Sequence, residues 1–283
     1  MKDTISKPKN VDYFQVPDEL WQLVKHHFPQ PVEARTRGRP PAPSRAALNG
    51  IWYVLWTGCQ WKAVHRSWFG VCSSVLHERF QTWQEAGIFD QVLVEMVKFY
   101  AQCLGIGWEW QSIDSATRPA PLGGTKTGRN PTDRGKSGSK LHILVDEKGA
   151  PLALHISAAN QHDKCSADDL MNGIVVERPK PDQVEQHLCA DKGYDYQAVH
   201  QTLAQGSYIS HVKHRRKRNE PKDELPIPDQ KRHPAHRWVV ERTISWLGKR
   251  RSIRIRWCKK DPNWLALIKF ACAHILFSLA FYG

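Results

Sequence analysis

Arg237-Trp238-Val239-Val240-Glu241-Arg242-Thr243-Ile244-Ser245-Trp246-Leu247-Gly248-Lys249 repeats its apolar residues with the period of a helix. Val240, Ile244 and Leu247 share one face, with Trp238 and Trp246 beside it. Arg237, Glu241 and Ser245 step along another side at i, i+4 spacing, and Lys249 continues the row. Glu241 is a lone acid on a strongly basic helix. By itself it reads equally well as a functional acid or as the intrahelical partner of Arg237, a contact worth about 0.3 kcal/mol. The residues upstream decide between the two.

Working back from that helix, Tyr208-Ile209-Ser210-His211-Val212 reads as a strand that runs straight into a basic cluster from Lys213 to Arg218. Before it, His187-Leu188-Cys189-Ala190-Asp191 is a short apolar strand ending on an acid, with Lys192-Gly193-Tyr194-Asp195 turning into a helix through Leu203. Leu141 to Val145 and Pro151 to Ser157, joined by Asp146-Glu147-Lys148-Gly149, read as a β-hairpin. Lys140 and His142 share one face of its first strand. Asp163, ahead of a helical pattern through Leu170, reads as an N-cap with a second reading near a metal. Trp108-Glu109-Trp110-Gln111-Ser112-Ile113-Asp114 alternates like a strand and also ends on an acid.

Residues 119–139 read as a long loop rich in Gly, Pro, Thr, Lys and Arg, unusual in a compact domain unless it binds something. Lys126, Arg129, Arg134, Lys136 and Lys140 suit a phosphate backbone. The order of elements predicts an α/β layer in which two strand ends and one helix aim carboxylates at a common point. Three carboxylates together would repel and raise one another's pKa. A hard divalent cation such as Mg²⁺ removes that conflict, and a pair of such ions suits phosphoryl transfer.

The charge agrees. Across 283 residues, 41 Lys and Arg face 28 Asp and Glu, a net +13, and residues 213–260 hold seventeen of those cations against five acids. Such a concentrated excess points to a polyanionic partner, chiefly nucleic acid. The 7 cysteines are odd in number, scattered and never form C-x-x-C, which predicts a reduced, cytoplasmic chain without a cysteine zinc site. The start shows no apolar signal region. The charge-free run at 270–283 is shorter than the roughly 20 residues a bilayer requires, so it reads as a buried helix with no membrane partner.

Residues 1–107 are expected to form a helical DNA-binding domain and residues 108–283 the catalytic one. A helix opens at Pro17-Asp18-Glu19, with proline and acids in its first turn. Arg35-Thr36-Arg37-Gly38-Arg39-Pro40 suits either a basic linker or an arm placing Arg37 and Arg39 in a minor groove. Ser44 is expected to cap a helix running to Gly58. Residues 61–68 and 73–86 read as two further helices at helix-turn-helix spacing, with Arg79 on the recognition helix. Ile88 to Leu104 gives one more amphipathic helix, and the tryptophans of this region read as core.

Taken together, these motifs resemble bacterial insertion-sequence transposases of the DDE class, of the insertion-sequence-five type. The resemblance is carried by Tyr53-Val54-Leu55-Trp56-Thr57-Gly58-Cys59-Gln60-Trp61, Ser112-Ile113-Asp114, Lys140-Leu141-His142, Ala190-Asp191-Lys192-Gly193-Tyr194-Asp195 and Val240 to Leu247. It implies a ribonuclease-H-like catalytic domain, a mixed sheet flanked by helices, preceded by an all-α helix-turn-helix-like domain. Asp114, Asp191 and Glu241 would then be the catalytic, metal-holding triad for two Mg²⁺ ions, with Mn²⁺ as a substitute. The activity implied is cutting DNA at the element's ends and joining the 3′-hydroxyls to target DNA, with no covalent enzyme–DNA bond.

The expected partners are double-stranded DNA, as terminal inverted repeats and target, and a second copy of the chain in a dimer or larger assembly in the bacterial cytoplasm, on the nucleoid. Arg37, Arg39, Arg79, Lys140, His142, Arg215, Arg216, Arg218, Arg237, Arg242 and Lys249 are the expected DNA contacts. One departure stands out. The family pattern Tyr-x2-Arg-x3-Glu-x6-Lys keeps Arg237 and Glu241, but Pro234 fills the Tyr position and Gly248 the Lys position, with Lys249 one residue later. Two rivals remain: a ribonuclease-H-like nuclease without strand transfer, and a DNA-binding remnant with a dead site.

Overall fold

A computed structural model describes residues 14–30, 41–212 and 236–283. The front end is helical: α1 (Asp18–Val24), α2 (Ser44–Thr57), α3 (Arg66–Phe69), α4 (Ser73–Glu85) and α5 (Ile88–Leu104). Leu48, Ile51, Trp52 and Leu55 of α2, Leu76, Phe80 and Trp83 of α4, and Val92, Met96 and Tyr100 of α5 are buried together. Burial of this kind, about 25 cal/mol per Å² of apolar surface, is what holds such short helices in place.

Two local expectations are corrected. Ser44 does not cap α2; it is the first helical residue, and its Oγ donates to Pro29 O at 2.6 Å. The helix expected over 61–68 is broken into a 3-10 turn (Trp61–Ala63) and the single turn of α3, because Val64 and His65 are extended between them. Gly58 does end α2: its φ of +64° is left-handed, and a Cβ there would stand 2.8 Å from Arg251 Cβ.

The second half is built on one sheet: β1 (Trp110–Pro119), β2 (Gly128–Arg129), β3 (Ser137–Asp146), β4 (Pro151–Ala158), β5 (Gln186–Ala190) and β6 (Tyr208–Val212). The path β3-β1-β5-β6 is extended on the far edge of β3 by both β4 and β2. β3 pairs antiparallel with both β1 and β4, whereas β5 pairs parallel to β1, and β6 parallel to β5. An antiparallel meander of three strands continued by two parallel ones is the ribonuclease-H-like arrangement. α6 (Ala167–Asn172), α7 (Gln197–Gln205), α8 (Trp238–Gly248), α9 (Arg251–Arg254) and α10 (Asp261–Tyr282) complete the described elements.

β1 does not end on Asp114. It continues to Pro119 because β3 supplies backbone partners along its whole length, Asp114 pairing with Ile143 and Pro119 with Gly138. The expected loop is shortened by β2 and by the early start of β3 at Ser137. The N-cap expected of Asp163 belongs instead to His162, whose side chain accepts from Lys164 N.

α10 is 22 residues long and apolar all round, so by length and composition it could cross a bilayer. It is a core helix: Trp264, Leu267, Phe270, Ile275 and Phe277 are buried, and it lies along α5 of the front end. The two halves therefore share a core. Ser252 Oγ donates to Val54 O at 2.6 Å, and Arg250 Nη2 meets His274 Nδ1 at 2.7 Å with its guanidinium over Trp56.

Candidate active site

Ser112 of β1 lies opposite Cys189 of the parallel strand β5. Two residues further on along each chain stand Asp114, in the middle of β1, and Asp191, just past the last residue of β5, so the register brings both acids level on neighbouring strands. Parallel strands keep a common side-chain alternation, which sends both to the same face. Each is oriented by the backbone: Ser115 N donates to Asp114 Oδ1 and Lys192 N to Asp191 Oδ1, both at 2.7 Å.

Glu241 comes from α8. Ser112 Oγ of β1 donates to His236 O at 3.3 Å just ahead of that helix. From the other side, Thr243 Oγ1 donates to Gly149 O at 2.8 Å and Arg242 Nη2 to Lys148 O at 2.6 Å, clamping α8 to the β3–β4 turn. Gly149 has φ +87°, and a Cβ there would lie 2.8 Å from Thr243 Oγ1, so the close approach needs glycine.

Arg237 stands among the acids. Its Nη1 donates to Asp191 Oδ1 at 2.7 Å, while Nη2 and Nε donate to Glu241 Oε1 at 2.7 and 3.1 Å. The intrahelical pairing and the functional grouping of Glu241 are therefore both present. The carboxylate oxygens of the three acids do not all lie within 4.8 Å of one another. Burial pushes the Asp114 carboxyl up to about 6 against the pull of the Ser115 amide and Arg237, and Glu241 and Asp191 push the same way as burial. A set of oxygen donors at which a guanidinium serves as counter-ion fits a hard divalent cation such as Mg²⁺.

Residues around the acids extend the site beyond the sequence reading. Asp163 Oδ1 accepts from Ser115 Oγ at 3.1 Å and from Lys140 Nζ at 2.9 Å, so Lys140 is bound to a carboxylate beside the acids. Tyr194 is 1% exposed, its hydroxyl has no hydrogen-bond partner within ordinary geometry, and it faces Asp163, Asp114 and Asp191. Burial first, then those acids, raise its pKa well above the ordinary value. A signal for it exists in the sequence: Tyr194 follows Asp191 by one turn of a 3-10 helix, which returns its ring toward the strand end.

The expected DNA contacts divide. Arg37, Arg39, Arg215, Arg216, Arg218 and the departure at Pro234 lie outside the described residues. His142 is corrected: it is fully buried between β3 and β4, its Nε2 2.7 Å from Ser157 Oγ, and burial first lowers its pKa to about 4. A neutral, enclosed imidazole does not reach a phosphate. Arg242 is stacked between Trp238 and Trp246, at 4.8 and 4.7 Å. Arg237 is engaged by the acids, Lys249 is exposed, and Arg79 lies over Trp83 at 5.9 Å. A cavity of about 1170 Å³ between α2, α4 and the stretch before α10 is lined by Lys62, Lys259 and Lys260 but by none of the three acids.

Comparison with known proteins agrees with this geometry. The family model described as "Transposase DDE domain" matches residues 111–276. A model for transposases of the IS4/5 family matches residues 16–93. A Burkholderia cepacia protein named as a transposase for insertion sequence element IS402 is 35% identical over 163 residues, covering 54% of this chain and 69% of its own length. A second protein of that element, an uncharacterized 16.2 kDa chain from the same organism, is 33% identical over 41% of this chain and 80% of its own. Among solved structures, a piggyBac transposase synaptic complex with hairpin DNA covers 99% of this chain and 76% of its own at 12% identity and a TM-score of 0.45. A mariner Mos1 paired-end complex with Mg covers 94% and 87% at 13% identity and a TM-score of 0.30. Those last two likenesses are remote, and the fold rests on the strand order itself.

Proposed function

The chain belongs to the DDE transposase family, in its IS4/IS5 group, and from that premise we propose that it cuts DNA at the ends of its own insertion sequence and joins the freed 3′-hydroxyls to target DNA. Asp114, Asp191 and Glu241 are the catalytic acids in this reading. The observation that carries it is the level register of Asp114 and Asp191 on parallel strands, with Glu241 tied to the same point through Arg237.

The three carboxylates would hold two Mg²⁺ ions, with Mn²⁺ as a substitute. When bound, such ions supply activation of the attacking oxygen and stabilisation of the leaving one. The chain's own residues do the rest. The middle of β1 and the end of β5 hold Asp114 and Asp191 on a rigid sheet, and the turn clamp at Gly149 fixes the tilt of α8. In cleavage a water oxygen attacks the scissile phosphorus and the 3′ oxygen departs with a proton. In joining that hydroxyl attacks a target phosphorus, and the target's own 3′ oxygen leaves.

Arg242, Lys249 and Arg237, once released from the acids, would hold phosphates, as would the basic residues at 215, 216 and 218. Residues 1–107, with Arg79 of α4 and the arm bearing Arg37 and Arg39, are assigned to reading the element's ends, and residues 108–283 to catalysis. Bringing two ends together calls for a dimer or larger assembly on DNA, in the bacterial cytoplasm.

The test is a strand-transfer assay with an oligonucleotide cut at the element's end, target plasmid and Mg²⁺. Joined product from the wild-type chain is expected, with Asp114→Asn, Asp191→Asn and Glu241→Gln each reducing it on the order of a thousandfold or more. Hydrolysis without joining would instead indicate a nuclease. Salt-sensitive binding without any nicking would indicate a dead site.

A further inference from the structure

In the helical front end, α1 is followed by a 3-10 turn, Lys25–His27, that packs against α5. Successive residues of a 3-10 turn point about 120° apart. The rings of His26 and His27 nevertheless lie 3.9 Å apart between centroids, at 43°. Both imidazoles are thus gathered on the side that faces Glu95 of α5. Among the described residues, His26, His27 and Glu95 are the one set of three potential ligands whose donor atoms all fall within 4.8 Å of one another.

His27 Nε2 is shut off from solvent and has no hydrogen bond of good geometry, although the Gln91 side chain comes near enough to the ring to act as a hydrogen-bonding neighbour and Glu95 stands beside it. Its distance to Glu95 Oε2 is 3.8 Å. That is too long for a hydrogen bond. It is close to the spacing of about 3.3 Å between two ligands of one tetrahedral zinc, whose bonds are about 2.0–2.1 Å long. A buried ring nitrogen without a hydrogen bond of good geometry is costly, and the short movement needed to bring the three donors onto one ion would remove that cost.

We propose that His26, His27 and Glu95 form a structural site for a borderline transition-metal cation of the zinc class, which ties the turn after α1 to α5. Two imidazoles and one carboxylate select zinc over magnesium, because imidazole is a poor ligand for hard Mg²⁺. A water would complete the tetrahedron on the exposed side at His26. The site is distinct in chemistry from the all-carboxylate cluster and shares no residue with it, so it stands or falls apart from the proposed activity.

The charges around it are mixed. Burial first, then His26 and Lys98, lower the His27 pKa, while Glu95 and a hydrogen bond from Gln91 raise it, the net direction being down. Lys98 opposes a cation and Glu95 favours one, and coordination replaces the long Glu95–His27 approach with two direct bonds to the metal.

The experiment uses the full chain without a polyhistidine tag, stripped with a chelator and titrated calorimetrically with Zn²⁺ in a background of Mg²⁺. The wild-type chain is expected to bind one Zn²⁺ that Mg²⁺ does not displace and to melt at a higher temperature with it. His26→Ala and Glu95→Gln should each weaken that binding by roughly tenfold or more and remove the rise in Tm. Co²⁺ in place of Zn²⁺ should give tetrahedral visible bands that both variants lose. His27→Ala, whose ring is partly buried, can disturb folding. His26 is exposed, so His26→Ala decides the matter. Equal Zn²⁺ affinity in the wild type and in His26→Ala and Glu95→Gln would assign the metal to other histidines or cysteines and overturn the proposal, as would the absence of any Zn²⁺ binding by the wild type.

Discussion

Arg237 holds two of the three acids with three hydrogen bonds. Its guanidinium is the cation of the site as it stands, and any divalent ion has to compete with it. Replacing Arg237 with Ala is expected to tighten Mn²⁺ binding several-fold, measured by calorimetry on the DNA-free protein. Weaker binding would mean that the arginine orients the acids rather than competes for them.

A second charged residue acts at a distance from the chemistry. Arg250 is 4% exposed, donates to Trp246 O at the end of α8, and meets His274 Nδ1 of α10. Burial first, and then Arg250, depress the His274 pKa to about 3, well below its ordinary 6.5. The sign follows from proton uptake: the unfolded chain binds a proton at His274 that the folded chain refuses. The associated stability is complete above pH 6.5 and is lost as the pH falls from there toward 3. His274→Gln should flatten the fall in Tm over that interval, and an unchanged slope would show that other groups govern it.

At the scale of elements, α8 is placed by contacts at both ends of its first turns rather than by its own helical strength. Thr243 Oγ1 bonds to Gly149 O across 94 residues of chain. Thr243→Val leaves that carbonyl unpaired and should cost about 1–2 kcal/mol in urea unfolding. Gly149→Ala forces a side chain into φ +87° against Thr243, and should cost about 1–3 kcal/mol. Both changes also tilt the helix that carries Glu241, so end cleavage should fall further than stability does.

The turn holding Gly149 has a buried hub in Asp146, which accepts from Tyr100 Oη at 2.7 Å, Gly107 N at 3.1 Å, Lys148 N at 3.0 Å and Ala150 N at 2.8 Å. Tyr100 belongs to α5, so the hub joins the front-end helices to the hairpin that orients α8. Helix periods and the hairpin turn are legible in the sequence because they depend on neighbours within a few residues. The length of β1 is not. Its extension past Asp114 to Pro119 depends on β3, whose pairing with it is a matter of distant backbone partners.

For the whole molecule, the net charge of +13 would make the proposed DNA binding depend largely on counterion release. Its affinity for end DNA should fall steeply as salt rises, with a log–log slope of about −0.9 per phosphate contacted. A filter-binding series over salt concentration measures it. A flat response would exclude a phosphate-dominated interface. The shared core of α5 and α10 means that the two halves do not separate cleanly at residue 107. Trp52 of α2 packs on Phe270 at 5.0 Å and on His274 at 4.8 Å, so removing α10 should unfold the front end as well.

The acidic residues at 114, 191 and 241, the helix bearing Glu241, the alternation of the strands and the basic balance of the chain were all readable from the sequence, because charge, period and residue type are local properties. That Asp114 and Asp191 converge was expected, but the parallel register that levels them, Ser112 opposite Cys189, was not, since the pairing of distant strands leaves no local period. Nor was the burial of His142, whose ring lies against Ser157 of β4. The position of Arg237 between two acids, the hydroxyl of Tyr194 turned toward three of them and the gathering of His26 and His27 against Glu95 belong to the tertiary structure alone. Each depends on what long-range packing brings within a few ångströms, and no local period encodes that.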